Sequence, residues 1–370
     1  VSVDAAEDSS GRARVNGEML LLARQREGLT QTQLAALADV SVSLVSRIEG
    51  GSVSETSCDV AARLATAARV TPRFFDRDPT VRHLGFHRLY RIQRRIGAKA
   101  MAGLESELNA RRLHLLHFLR SVDIRPSMSL PERSRMDDLS PEAAARELRK
   151  LWMVRPGVIT SITTLMEAAG ILIVELENVD RSFEGLAVHA FTGFPIVFVR
   201  GDQTKDRRTF TLAHELAHLV LHQDPSDDQE TEANRFAAEF IMPATTAATL
   251  LRGLTLQQAL RVKVDHGVSA QFCVTHAARL NIISKDEQHR LYKQISQRGW
   301  RTEEPYAEPA DKPQLTQSVL ETLKSELGYS AGELAHELGE IPERIEDLYF
   351  QETRPVLRLV PPEVSRLRRL

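Results

Sequence analysis

The stretch Arg207–His222, RRTFTLAHELAHLVLH, constrains this chain more than any other. It contains His214-Glu215-Leu216-Ala217-His218, and on a helix of about 3.6 residues per turn two imidazoles four positions apart project from one face. Phe210, Leu212, Ala213, Leu216, Ala217, Val220 and Leu221 make the surroundings apolar nearly all round, so the helix reads as interior to a domain. Two histidines and a glutamate are costly to bury without partners. The pattern suits a divalent zinc held by His214 and His218 at roughly 2.0–2.1 Å, with Glu215 beside an open coordination position. An ion there acidifies water, and an adjacent carboxylate can take the proton and later give it to a leaving amine. That role falls to Glu215.

A catalytic zinc needs a third protein ligand. Gln229–Pro243, QETEANRFAAEFIMP, reads as a second helix stopped by Pro243. Glu230 and Glu232 compete for the place. Glu232 shares a helical face with Phe236 and Phe240, an apolar stripe expected to turn toward the zinc helix, whereas Glu230 shares the more hydrated face of Asn234. The two segments together resemble the ImmA/IrrE family of metallopeptidases, whose hallmark is an H-E-x-x-H helix followed by a helix of E-A-N-x-F-A-A type ending in M-P. The similarity runs from about Ala144 to Pro243. It implies zinc bound by His214, His218 and a glutamate of the second helix, with Glu232 favoured and Glu215 catalytic. It also implies a protein substrate, often a repressor.

At 370 residues the chain is too long for one ordinary core, so two or three domains are expected. The 48 basic and 50 acidic residues nearly balance, which excludes a global field that would draw the protein to nucleic acid or membrane. Cys58 and Cys273 are far apart and outside any C-x-x-C spacing, so neither a disulfide framework nor a cysteine zinc site is indicated. No apolar run reaches the ~18 residues of a membrane span, and the first residues lack a signal-peptide core. A cytoplasmic protein with no membrane partner is expected.

Residues 1–14 read as a disordered tail. Beyond them Thr30-Gln31-Thr32-Gln33 is a capping-box start for a short helix, and Ser41 opens a third one through Glu49. LTQTQLAALADVSVSLVSRIEGG resembles the XRE-type helix-turn-helix through Thr30, Gln31, Leu34, Ala35, Val40, Ser41, Ser46, Ile48, Glu49 and Gly51. Asp39 stands where that family usually has Gly, a departure that an αL-tolerant residue absorbs. The resemblance implies DNA as a partner and a homodimer on two half-sites. Gln31, Ser41, Ser43 and Ser46 are the candidate DNA contacts. Val15–Pro72 nevertheless holds five Arg against six acids, so a single copy should grip phosphate weakly.

Arg82–Arg120 carries nine Lys or Arg against two acids, and Arg91, Arg95 and Lys99 recur on one helical face. His114 and His117, three apart with no carboxylate nearby in sequence, read as polar-face residues. Ile171–Leu176, Gly185–Phe191 and Pro195–Val199 read as strands of a small antiparallel sheet against the zinc helix, with His189 in the middle run as an oxyanion candidate. Ser284–Glu287 and Ser330–Glu333 are two more capping boxes.

The reading is a mostly α protein with a small β-sheet. A helix-turn-helix domain (15–76) is followed by a basic helical connector (81–124), a zincin-like α+β peptidase domain with a helical extension (140–300) and a helical C-terminal module (310–370). Its expected function is regulatory zinc-dependent endopeptidase with a DNA-binding domain. The other readings are a transcription regulator whose peptidase-like domain senses or dimerises, and a toxin–antitoxin component.

Overall fold

The structure is a computed structural model, and it describes residues 11–77, 97–136, 138–189, 194–222 and 227–350. The basic face of Arg91 and Arg95 lies outside them.

Four helices build the first unit: α1 (Gly17–Arg26), α2 (Gln31–Leu37), α3 (Val42–Glu49) and α4 (Cys58–Ala67). Each start is fixed by a side chain that satisfies an orphan amide: Asn16 for α1, Thr30 with a complete capping box for α2, Ser41 for α3 and Ser57 for α4. Asp39 turns the chain between α2 and α3 at φ 50°, and Arg63 holds its carbonyl at 2.7 Å. Met19, Leu20, Leu34, Val45, Ile48, Leu64, Phe74 and Phe75 fill the interior. Arg12–Arg14, expected within a disordered tail, is instead a short strand β1, paired antiparallel with β2 (Glu55–Ser57).

A long helix, α5 (Ala98–Phe118), leads to α6 (Pro141–Leu151), α7 (Ile162–Ala168) and a three-stranded sheet of β3 (Leu172–Leu176), β4 (Gly185–Val188) and β5 (Ile196–Arg200). The strand order is β3-β5-β4. The expected all-antiparallel sheet is therefore corrected: β5 inserts between the earlier strands, antiparallel to β4 but parallel to β3. Both faces are covered, and the two-residue period of a strand divides them. Ile173, Ala187, Val197 and Val199 face the core that contains α8 (Lys205–Leu221) and α9 (Gln229–Ile241). Leu172, Val174, Leu186, Val188, Ile196 and Phe198 face a second core made with α5 and the C-terminal helices.

After α9 come α10 (Ala244–Leu250), α11 (Leu256–His266), α12 (Ala270–Arg279) and α13 (Lys285–Gln297), then α14 (Leu315–Glu321), α15 (Ala331–Leu338) and α16 (Pro342–Ile345). Both later capping boxes, Ser284 with Glu287 and Ser330 with Glu333, are formed. α15 ends on Gly339 at φ 71°, where an added Cβ would lie 2.4 Å from Phe74 N, so only glycine lets this helix end touch the helix-turn-helix unit. Thr71 N donates to Gly339 O at the same junction. Glu340, fully buried, accepts both guanidinium bonds of Arg26 from α1 (2.6 and 2.8 Å), and its Oε1 also meets His114 Nε2 from α5 (3.1 Å). His114 is thus no polar-face residue. Its partners, Glu340 and the Tyr349 hydroxyl (2.9 Å), come from more than 200 positions along the chain, beyond the reach of local spacing. His117 likewise finds Glu337 at 2.6 Å.

Candidate active site

The start of α8 is locked to the sheet and to α11. Arg208, 2% exposed, reaches Glu175 Oε1 (3.0 Å), Gln203 Oε1 (3.0 Å) and Arg200 O (2.9 Å), while Asp206 takes the ammonium of Lys263 (2.6 Å). Glu304 closes this cluster. It meets Lys263 at 3.2 Å and accepts the amides of Ala270 and Gln271 at the start of α12, where a carboxylate complements the helix dipole. A helix held this firmly at one end presents its side chains farther along in fixed positions.

His214 and His218 project from one face of α8, as four-residue spacing requires, with their Nε2 atoms 3.1 Å apart. Glu230, in the first turn of α9, brings Oε2 to 3.6 Å from His214 Nε2 and Oε1 to 3.5 Å from His218 Nε2. Among the described residues these three form the group able to hold a metal ion, with ligand atoms all within 4.8 Å of one another. Two ligands at 2.0–2.2 Å from a tetrahedral centre are about 3.3–3.6 Å apart, so the spacing fits. The donor chemistry fits too: two imidazole nitrogens and one carboxylate leave one position open. Hydrogen bonding to His214 and His218 holds the Glu230 carboxyl well below the usual carboxylate range. Burial disfavours a charged His214, but the bond to Glu230 and the nearby charges of Glu215 and Glu230 win, and its pKa is raised.

Glu232, favoured from the sequence, is not in this group, and the physical reason is helical phase. Two residues beyond Glu230 is about 200° around the helix, so Glu232 faces away from His214 and meets His222 Nε2 at 3.0 Å. The face shared by Glu230 and Asn234 looked hydrated because it lines the cleft; Asn234 Oδ1 sits 3.1 Å from His214 Nδ1. Phe236 and Phe240 are fully buried, as their stripe implied. That apolar stripe packs the domain interior without carrying Glu232 to the histidines.

Glu215, 6% exposed, lies on the sheet side of α8. Its Oε2 accepts the amide of Ala187 in β4 at 2.7 Å. Antiparallel strands alternate the direction of their backbone groups. Glu184 O accepts from Arg200 N across the pair with β5, so Ala187, three residues on, points the opposite way, out of the sheet edge toward Glu215 of α8. Gly185 makes this approach possible: a Cβ there would sit 2.8 Å from Thr211 Cγ2 and 3.1 Å from Glu215 Cγ. His189 is exposed, just past the end of β4.

A cleft of about 1780 Å³ opens over these groups. Phe210, whose ring lies 6.4 Å from that of His214, packs against Phe272, and Arg279 and Tyr292 continue this wall. The far wall is the segment 301–312, fastened by Glu304 and by the Lys205 N to Glu308 O bond.

Of the helix-turn-helix candidates, Ser43 and Ser46 are exposed on α3. Ser41 uses its hydroxyl to cap α3 (3.2 Å to Leu44 N). Gln31 donates to Glu49 Oε2 (2.9 Å), joining the bidentate Arg24–Glu49 pair that staples α1 to α3. Sequence reading assigned no role to His222, Asn234 or the Ala187 amide. The signal for His222 was the same four-residue step repeated once more, while Asn234 and Ala187 depend on tertiary placement.

Residues 166–276 match the peptidase family M78 model, described as the IrrE N-terminal-like domain, and residues 17–74 match a helix-turn-helix domain model. The chain joins an N-terminal helix-turn-helix domain to an IrrE-like, metallopeptidase-like domain. No curated protein matches it. Among the described residues, no helix is long and apolar enough to cross a membrane.

Proposed function

We propose that this protein is a regulatory, zinc-dependent endopeptidase that cuts a protein substrate, with a repressor as the expected target, and binds DNA through its helix-turn-helix domain. The observation that carries the reading is Glu215, a buried carboxylate set between the donor group and the free edge of β4. His214, His218 and Glu230 would hold the zinc, which when bound supplies Lewis acidity for polarising a carbonyl and acidifying water. An extended substrate segment laid along β4 would lengthen the sheet by one strand. Glu215 takes the proton of the attacking water as the C–O bond forms, then delivers it to the amide nitrogen as the C–N bond breaks, and so ends as it began. The Ala187 amide holds one carboxylate oxygen, which leaves the other for the proton.

The direct test is elemental analysis of the purified, dialysed chain together with cleavage of candidate protein substrates. The parent protein is expected to hold one zinc per chain and Glu230→Ala essentially none, because a site with three protein ligands loses most of its affinity with one of them. A Glu230→Ala protein that keeps its zinc would remove Glu230 from the ligand set.

For the DNA-binding half, α3 offers Ser43, Ser46 and Arg47 on its exposed face. Binding is expected as a homodimer on two half-sites, with a shallow dependence on salt because few cations reach phosphate. Arg47→Ala should weaken binding to all duplex sequences alike and reduce the slope of log K against log salt by about one per copy, about two for the bound dimer. An unchanged slope takes Arg47 off the DNA.

A further inference from the structure

His222 and Glu232 lie just outside the donor group and are unexplained by it. His222 is 6% exposed, and both of its ring nitrogens are engaged: Nδ1 lies 2.9 Å from His218 Nδ1, and Nε2 lies 3.0 Å from Glu232 Oε2. The ring is not needed to finish α8. The last turn is closed by the backbone instead, His222 N donating to His218 O at 3.2 Å. A buried imidazole gripped at both ends by side chains calls for another account.

The hydrogen-bond directions supply it. A neutral imidazole has one N–H and one bare nitrogen. His218 turns Nε2 toward His214 and Glu230, where a ligand atom must be bare, so its proton belongs on Nδ1. His218 Nδ1–H then donates to His222 Nδ1, which leaves the His222 proton on Nε2, and that N–H donates to the Glu232 carboxylate. Each direction follows from the one before. His214 has the shorter equivalent, Nδ1–H to the amide oxygen of Asn234. Metal-binding histidines are commonly oriented in this way by a carboxylate or carbonyl on the other ring nitrogen.

We infer that Glu232 and His222 form a positioning relay that fixes the tautomer and orientation of His218 for metal binding, Glu232 acting through His222 without touching the ion. The inference rests on the metal reading proposed above. It gives the second glutamate of α9 a role distinct from that of Glu230: one is a ligand, and the other anchors a ligand's support.

The test uses the full chain and zinc itself, by competition with a chromogenic chelator, with Co²⁺ absorption as a report on ligand geometry. Glu232→Ala should still take one zinc at saturation, but with affinity about 10–100-fold lower and an altered Co²⁺ spectrum. Glu232→Gln, nearly the same size and still able to accept the His222 N–H, should recover part of the loss. His222→Phe should match Glu232→Ala, and the double variant should be no worse than either single one, as expected for members of one relay. Thermal melting of the metal-free proteins checks that each variant folds; Glu232 is on the rim, its side chain 38% exposed, where substitution is tolerated. Parent-like affinity in Glu232→Ala, or additive losses in the double variant, overturns the relay. Loss of zinc even at saturation in Glu232→Ala would also overturn it by making Glu232 a ligand. A parent protein that binds no zinc sinks the metal reading itself, a result distinct from the other three.

Discussion

Glu215→Gln is expected to bind zinc with the parent's stoichiometry and to lose substrate cleavage by about 10²–10⁴-fold, the range that a positioned general base contributes. The change is nearly isosteric, so packing against Gly185 and Thr211 is kept. What disappears is the ability to accept the water's proton and the charge that receives the Ala187 amide at 2.7 Å. An amide that turns its oxygen to Ala187 presents only N–H donors to the cleft. The comparison is made by zinc analysis and single-turnover cleavage on the same preparation. Parent-like turnover in the variant would remove Glu215 from the chemistry and move the search for a base elsewhere in the cleft.

Glu340→Ala is expected to cost about 3–5 kcal/mol of stability, the usual consequence of removing one partner from a buried ion pair. Glu340 is fully buried and receives Arg26 through two bonds, and among the described residues Arg26 Nε has no hydrogen-bond partner, so deletion strands a buried guanidinium. Denaturant unfolding of the parent and the variant at pH 7 measures the loss; a difference below about 1 kcal/mol would mean that the junction yields to solvent. Acid should act in the same direction. Burial pushes the Glu340 carboxyl up, but the Arg26 guanidinium and the His114 ring outweigh it and hold it far below the usual range. A carboxylate with a depressed pKa in the folded state stabilises fully above its unfolded pKa of about 4.3, and that contribution fades as pH falls toward the folded value. The junction should therefore be at full strength at neutral pH and weaken on acidification below about 4.3.

The features legible in the sequence were those set by local spacing. Thr30, Ser284 and Ser330 with their partners three residues later cap helices, Asp39 takes the left-handed turn, and His214, Glu215 and His218 fall where a 3.6-residue period puts them. Choosing between Glu230 and Glu232 needed the crossing of α8 and α9, which decides which side of α9 looks into the cleft. Apolar neighbours on Glu232's face pointed to the interior, and the cleft is not the interior. The sheet was misread for a related reason. Periodicity identifies strands, but nothing in Ile196–Arg200 says that it enters between two earlier ones. His114 shows the same limit at long range, since its acid comes from α15's far end.

The two-sided sheet has a consequence for how this chain can be taken apart. The stretch matched as a peptidase, residues 166–276, contains the donor group and the front of the sheet, yet the back of the sheet is covered by α5 and by residues 315–350. Cut free at those limits, the fragment would present Leu172, Val174, Leu186, Ile196 and Phe198 to water as one continuous apolar surface, a patch that drives association. Severing the chain between the helix-turn-helix unit and the sheet would leave Arg26 of α1 gripping Glu340, with the two pieces still held together. A self-standing fragment that keeps the donor group must therefore start before Ala98 and retain the C-terminal helices through Phe350, which makes residues 315–350 a structural part of the metallopeptidase-like domain.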